Sequence, residues 1–199
     1  SCATPPTIPS STQPTGTHSF DWGGFFTIEV IMSFEEIISQ IIEHEGGSRV
    51  SNHAADAGGV TKFGCSQRFL DSISYPTAAP DLELDQAIAI YLEHFWLPSR
   101  AKELKPDLQH GYLDHCVLAG QRNSVRVLQK ACNSRNLVGA NGNRLDEDGL
   151  IGTNTISATN GLQPGWLRWH RWLYFEDLIE RKPSQEAFRK GWMRRVFEV

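Results

Sequence analysis

The sequence predicts a mainly helical α+β fold in which helices pack around one small β hairpin. Three observations predict it. From Phe34 onward, apolar residues recur three and four apart along several segments, as on one face of a helix. The stretch from Arg49 to Ser66 (RVSNHAADAGGVTKFGCS) is rich in Gly, Asn and Asp and lacks that period, so it reads as a hairpin or meander. The 199-residue chain is 40% hydrophobic and 21% charged, enough to bury a core and too apolar for disorder throughout.

Residues 1–31 are a different material. Pro5, Pro6, Pro9 and Pro14 stand among Ser, Thr and Gly with no charge before Asp21, and nothing there repays the entropy of ordering. We expect an extended arm, followed by a short apolar stub from Phe20 to Ile31. No Lys or Arg precedes Arg49, and the prolines come before the apolar run, which argues against a secretory signal. Nor does an apolar segment precede Cys2, as a lipoprotein reading would need. Met32 then opens the helical part.

The first helix carries the informative residue. Ser33 and Glu36 form a capping box, so the helix should begin at Phe34. Phe34, Ile37, Ile38, Ile41 and Ile42 form one stripe, and Glu45 continues it, four after Ile41 and three after Ile42. Gly46-Gly47 should stop the helix there. A glutamate aimed inward at a helix C-terminus has a raised pKa, since burial and the helix dipole both disfavour its charge. A general acid working near neutral pH needs that property. From position alone, a helix-end Glu leaning into solvent is the competing reading. The hairpin, with Gly58-Gly59 at its turn, would place Asp56 and Thr61 across a cleft from Glu45. A turn-capping Asp and an ordinary strand Thr are the plain alternatives for these two.

Composition narrows the chemistry further. Nineteen basic residues against 23 acidic ones give a net charge of −4, which argues against nucleic-acid binding. No run approaches the roughly 18 apolar residues of a membrane-spanning helix. Cys2, Cys65, Cys116 and Cys132 follow no zinc-site spacing, and the last three sit among apolar residues, as buried free thiols do. His44-Glu45 is not a zinc HExxH, because position 48 is Ser, and the remaining histidines are scattered. A cysteine peptidase built on Cys65 with His94 or His110 is weakly supported.

Glu45-Gly46-Gly47 followed by Asp56-x-Gly58-Gly59-x-Thr61-x-x-Gly64-x-Ser66 resembles the signature of glycoside hydrolase family 108, lysozyme-like N-acetylmuramidases of phages and bacteria. Ala87 to Trp96 and Asp114 to Gly120 also resemble that family, while Cys65 stands where it usually has Ile and Ser51-Asn52-His53 where it has Asn-Asp-Pro. The resemblance implies a lysozyme-like fold and a catalytic segment over residues 32–120. Glu45 would be the proton donor, assisted by Asp56 and Thr61. The substrate would be the β-1,4 bond between N-acetylmuramic acid and N-acetylglucosamine in peptidoglycan, cleaved without metal or cofactor. A hairpin Asp facing a helix-end Glu suits the wider carboxylate gap, roughly 6.5–9.5 Å, of an inverting enzyme.

Residues 121–199 read as helical. Helices are expected over Leu108 to Ala119, Ser124 to Cys132 and Trp166 to Ile179, with Asp85 capping an earlier one, Ala87 to Trp96. Leu137 to Gly149 is a loop that resembles a calcium loop, but Ser157 replaces the twelfth-position Glu. Gln129, Asp148-Gly149, Gly152 and Thr155 are similar to the predicted peptidoglycan-binding unit that usually follows the family 108 segment, with Thr155 opening a helix. This segment is expected to pack into the same body as residues 32–120. Arg181, Lys182, Arg189, Lys190, Arg194 and Arg195 suggest a positive face toward an anionic wall, or simply a solvated helix face. The arm favours attachment to a larger virion or secretion assembly, with action in the periplasm or cell wall. A catalytically silent wall-binding or secretion-assisting protein is the rival reading.

Overall fold

A computed structural model of the chain describes residues 32–51 and 59–198. The arm, Cys2 and Asp56 lie outside the described residues. Helix α1 spans Phe34–His44 and starts as its capping box dictates: the Ser33 hydroxyl accepts from Glu36 N–H at 3.2 Å, and the Glu36 carboxylate accepts from Ser33 N–H at 2.8 Å. Its stripe of Ile37, Ile38, Ile41 and Ile42 is buried, which fixes the direction in which Glu45 leaves the helix.

Strands β1 (Thr61–Lys62) and β2 (Cys65–Ser66) pair antiparallel, Thr61 opposite Ser66 and Lys62 opposite Cys65. This hairpin turns at Phe63-Gly64, with φ of 52° and 77°, a two-residue turn with both φ positive; of the expected Gly58-Gly59 turn, Gly58 lies outside the described residues. Gly64 matches the twist of a two-residue hairpin, whereas Gly59 lies on the segment leading into β1. Ser51 forms an isolated bridge to Thr61, so the chain returns to the hairpin from the helix side.

Helices α2 (Gln67–Ser72), α3 (Leu84–Tyr91) and α4 (Leu97–Ser99) follow, α3 and α4 joined by a π-helical turn over Leu92–Trp96. The start of α3 is one turn earlier than expected: Glu83 is its cap, its N–H bonded to the Gln86 side chain at 2.9 Å, and Asp85 lies inside the first turn. Helices α5 (Pro106–Ala119), α6 (Gln121–Ser134), α7 (Thr153–Thr159), α8 (Pro164–Arg181) and α9 (Arg189–Glu198) complete the chain. Thr155 sits inside α7, since Gly152 and not Thr155 marks its start. Helix α5 packs on both α6 and α8, α6 on α8, and α8 on α9. The fold is thus mainly helical with one small antiparallel sheet, a lysozyme-like α+β fold. Cys65, Cys116 and Cys132 are buried free thiols. Among the described residues no helix is long and apolar enough to cross a membrane.

Candidate active site

Glu45 is the C-cap of α1, with its backbone at φ −80° and ψ 4°. The chain then turns through two left-handed glycines, Gly46 at φ 104° and Gly47 at φ 59°. Gly47 N–H reaches Ile42 O at 2.9 Å and Gly46 N–H reaches Glu43 O at 3.1 Å, the paired bonds of a Schellman stop. The same Gly47 then accepts from Phe63 N–H at 3.0 Å, which ties the hairpin turn to the end of the helix. Gly64 packs against the stem of Glu45. A Cβ at that position would collide with the Tyr91 hydroxyl and stand 2.9 Å from Glu45 Cβ and Cγ. Tyr91 in turn donates to Phe63 O at 3.2 Å. Glu45 is therefore held from three sides: helix, hairpin turn and α3.

The carboxylate is half-buried, its side chain 26% exposed, and it meets a cation. Arg195 Nη1 donates to Glu45 Oε1. Arg195 also donates to Asp114 Oδ1, from Nε at 3.0 Å and from Nη2 at 2.6 Å. Asp114 Oδ2 accepts from Arg171 Nη2. Asp114 and Arg171 are essentially without solvent contact, at 0% and 1% exposure. The four residues make a chain of two guanidinium groups and two carboxylates, which balances its charge inside the protein. Burial opposes the charge of Arg195, but Asp114 and Glu45 outweigh it and hold the guanidinium above its usual range. Burial pulls Arg171 down to about 10. The nearby Cys65 thiol is pushed up to about 12 by burial, with the Glu45 charge adding to it.

Glu45, Asp114 and Arg195 all stand out in the sequence, but not their pairing with one another. Arg195 was placed on a positive surface face; it is instead a buried ion-pair residue. Most of that face is also neutralised. Arg181 pairs with Asp177 at 2.5 Å, and Arg189 with Glu176 at 2.5 Å and Glu186 at 2.8 Å. A signal for Arg171 did exist: Leu167, Arg171, Phe175 and Ile179 are spaced four apart and form the buried stripe of α8. A charge on an apolar stripe is the same clue that picked out Glu45.

Thr61 is half-buried on β1. Its backbone exchanges two 2.9 Å hydrogen bonds with Ser51, and its hydroxyl donates to Gly59 O at 3.4 Å. The hairpin that carries Thr61 is thus the one docked on Glu45. A cavity of about 260 Å³ adjoins the ion-pair chain, lined by His44, Leu118, Phe188, Trp192, Arg194 and Arg195. In the second segment the loop before α7 is tightly held. Gln129 bonds Gly149 N–H at 3.0 Å, Asp148 at 2.9 Å and Leu150 O at 3.2 Å, while Asn133 bonds Leu145 through both its backbone groups.

Residues 38–120 match the model of the family described as glycosyl hydrolase 108. Over this part the chain is similar to that family. Residues 123–197 match the model described as a predicted peptidoglycan domain. A family 108 segment followed by a peptidoglycan segment supports a glycoside hydrolase that acts on peptidoglycan. Among solved structures, the chain is similar to SagA of Brucella abortus. They share 23% identity with a TM-score of 0.65, over 82% of this chain and 88% of that one, a likeness of fold. No curated protein matches the chain. The Glu45–Arg195 pair joins the two matched segments.

Proposed function

We propose that the chain is a lysozyme, an N-acetylmuramidase that hydrolyses the β-1,4 bond between N-acetylmuramic acid and N-acetylglucosamine. The observation that carries this reading is the place of Glu45: a half-buried carboxylate at the end of a helix stripe, packed against a hairpin turn. Arg195 engages Oε1 of a carboxylate that stays 26% exposed, and in this reading Oε2 serves the substrate. In this reading Glu45 protonates the leaving glycosidic oxygen while positive charge develops on the sugar ring. Asp56 stabilises that charge or orients water, and Thr61 holds the water; no metal or cofactor takes part. The 3.4 Å bond from the Thr61 hydroxyl to Gly59 O is long, so the hydroxyl has little to give up in turning to a water molecule.

Residues 32–120 form the catalytic segment and 121–199 a wall-binding segment docked on it. The enzyme acts in the periplasm or cell wall, delivered by a phage or by secretion, and residues 1–31 attach it to a larger virion or secretion assembly. The test is clearing of purified peptidoglycan suspensions. Glu45→Gln should clear them about 10²–10⁴-fold more slowly than wild type, the usual worth of a general acid. Clearing by Glu45→Gln at the wild-type rate would contradict the assignment of Glu45, and no clearing by wild type would leave wall binding without catalysis as the alternative.

A further inference from the structure

The residues that hold Glu45 come from far along the chain. Arg195 lies 150 residues after Glu45, on α9, and Asp114 is 81 residues before Arg195, on α5. Asp114 bonds Arg195 through two nitrogens and faces Arg171 of α8 with its other oxygen. The geometry is that of a bracket. Arg171 fixes Asp114, Asp114 fixes the plane of the Arg195 guanidinium, and that plane fixes which oxygen of Glu45 is held. With 6% of its side chain exposed, Arg195 has little room to move. Glu45 has its stem packed against Gly64, which leaves the orientation of its carboxylate for Arg195 to set.

We propose that Arg195 is a positioning residue for the reaction: it holds Oε1 of Glu45 and so aims Oε2 at the glycosidic oxygen. The inference rests on the assignment of Glu45 as the acid and goes beyond it. The segment matched as a peptidoglycan domain then does more than hold the wall, because its last helix completes the active site of the first segment. Orientation of this kind acts on the chemical step and leaves substrate affinity nearly unchanged, since a misplaced catalytic group costs about 10²-fold in rate. Asp114 and Arg171 act one and two steps further back, by setting Arg195.

The experiment is a double-mutant cycle on the full chain, with purified peptidoglycan as substrate and kcat and KM read from released reducing ends. Arg195→Met removes the charge while keeping an unbranched side chain. It should lower kcat about 10²-fold and change KM less than about threefold. Arg195→Lys keeps a cation able to reach one carboxylate and should recover at least about a tenth of the lost rate. In the Glu45→Gln background Arg195→Met should cost almost nothing further, because its effect passes through Glu45. Lys102→Met, an exposed residue outside the ion-pair chain, should behave as wild type. Should Arg195→Met fail to fold by circular dichroism, Arg195→Lys carries the same cycle. Wild-type kcat in Arg195→Met, or an undiminished further loss in the Glu45→Gln background, would overturn the proposal and leave Glu45 as the acid. Wild-type rates from Glu45→Gln would instead overturn the assignment on which it rests.

Discussion

Gly64 shows how much one residue decides here. Its φ of 77° suits glycine, and its missing side chain is the space into which the Glu45 stem and the Tyr91 hydroxyl fit. Gly64→Ala brings both a left-handed backbone strain and a clash. It should cost about 1–3 kcal/mol of stability and displace the acid as well. Thermal melting and wall clearing measured together should both fall; unchanged melting and clearing would contradict the packing described. Asp114 is the second such residue. Asp114→Asn leaves two buried guanidinium groups facing one uncharged amide, and breaking a buried pair costs about 3–5 kcal/mol. A denaturant midpoint close to wild type would contradict that reading.

At the scale of elements, what was legible in the sequence was what is local. The capping box of α1, its isoleucine stripe and its two-glycine stop are all short-range patterns, and each is present. The position of Glu45 followed from them. The hairpin was legible as an element, but its turn was not. The turn at Phe63-Gly64 is tied to the helix by Phe63 N–H bonding Gly47 O, a contact that local spacing does not encode. The ion-pair chain was illegible for a different reason. Its links span 57, 81 and 150 residues, and nothing in local spacing encodes such a pairing. Gln129 of α6 offers a test of the other half of the fold. Its side chain bonds the loop at Asp148, Gly149 and Leu150. Gln129→Ala should leave these groups unsatisfied and lower stability by about 1–3 kcal/mol. Proteolysis should then begin in the loop from Leu137 to Gly149; a loop no more sensitive than in wild type would contradict this.

The whole molecule carries a built-in sensitivity to acid. His115 is buried, with neither ring nitrogen bonded, and packs edge-on against Tyr174 and Phe175. Burial, with Arg171 nearby, holds its imidazole well below 6.5. Burial also pushes His110 down to about 4. In the unfolded chain both take up a proton near pH 6.5, so protons favour the unfolded state below that value. Stability should be full above pH 6.5 and fall toward pH 4, with a slope of order 1 kcal/mol per pH unit for each fully shifted histidine. Melting temperatures between pH 7.5 and 4.5 check this. His115→Phe should flatten the decline, and a decline just as steep without the imidazole would contradict its cause.

The central claim is that Glu45, clamped between the hairpin and Arg195, cleaves the glycan strand of peptidoglycan on the muramic acid side. Mass spectrometry of a peptidoglycan digest tests it most directly, because it reads the bond as well as the activity. Wild type should release fragments with N-acetylmuramic acid at the reducing end, and Glu45→Gln should release almost none in the same time. Reducing-end N-acetylglucosamine, or freed peptides from intact glycan, would contradict the claim.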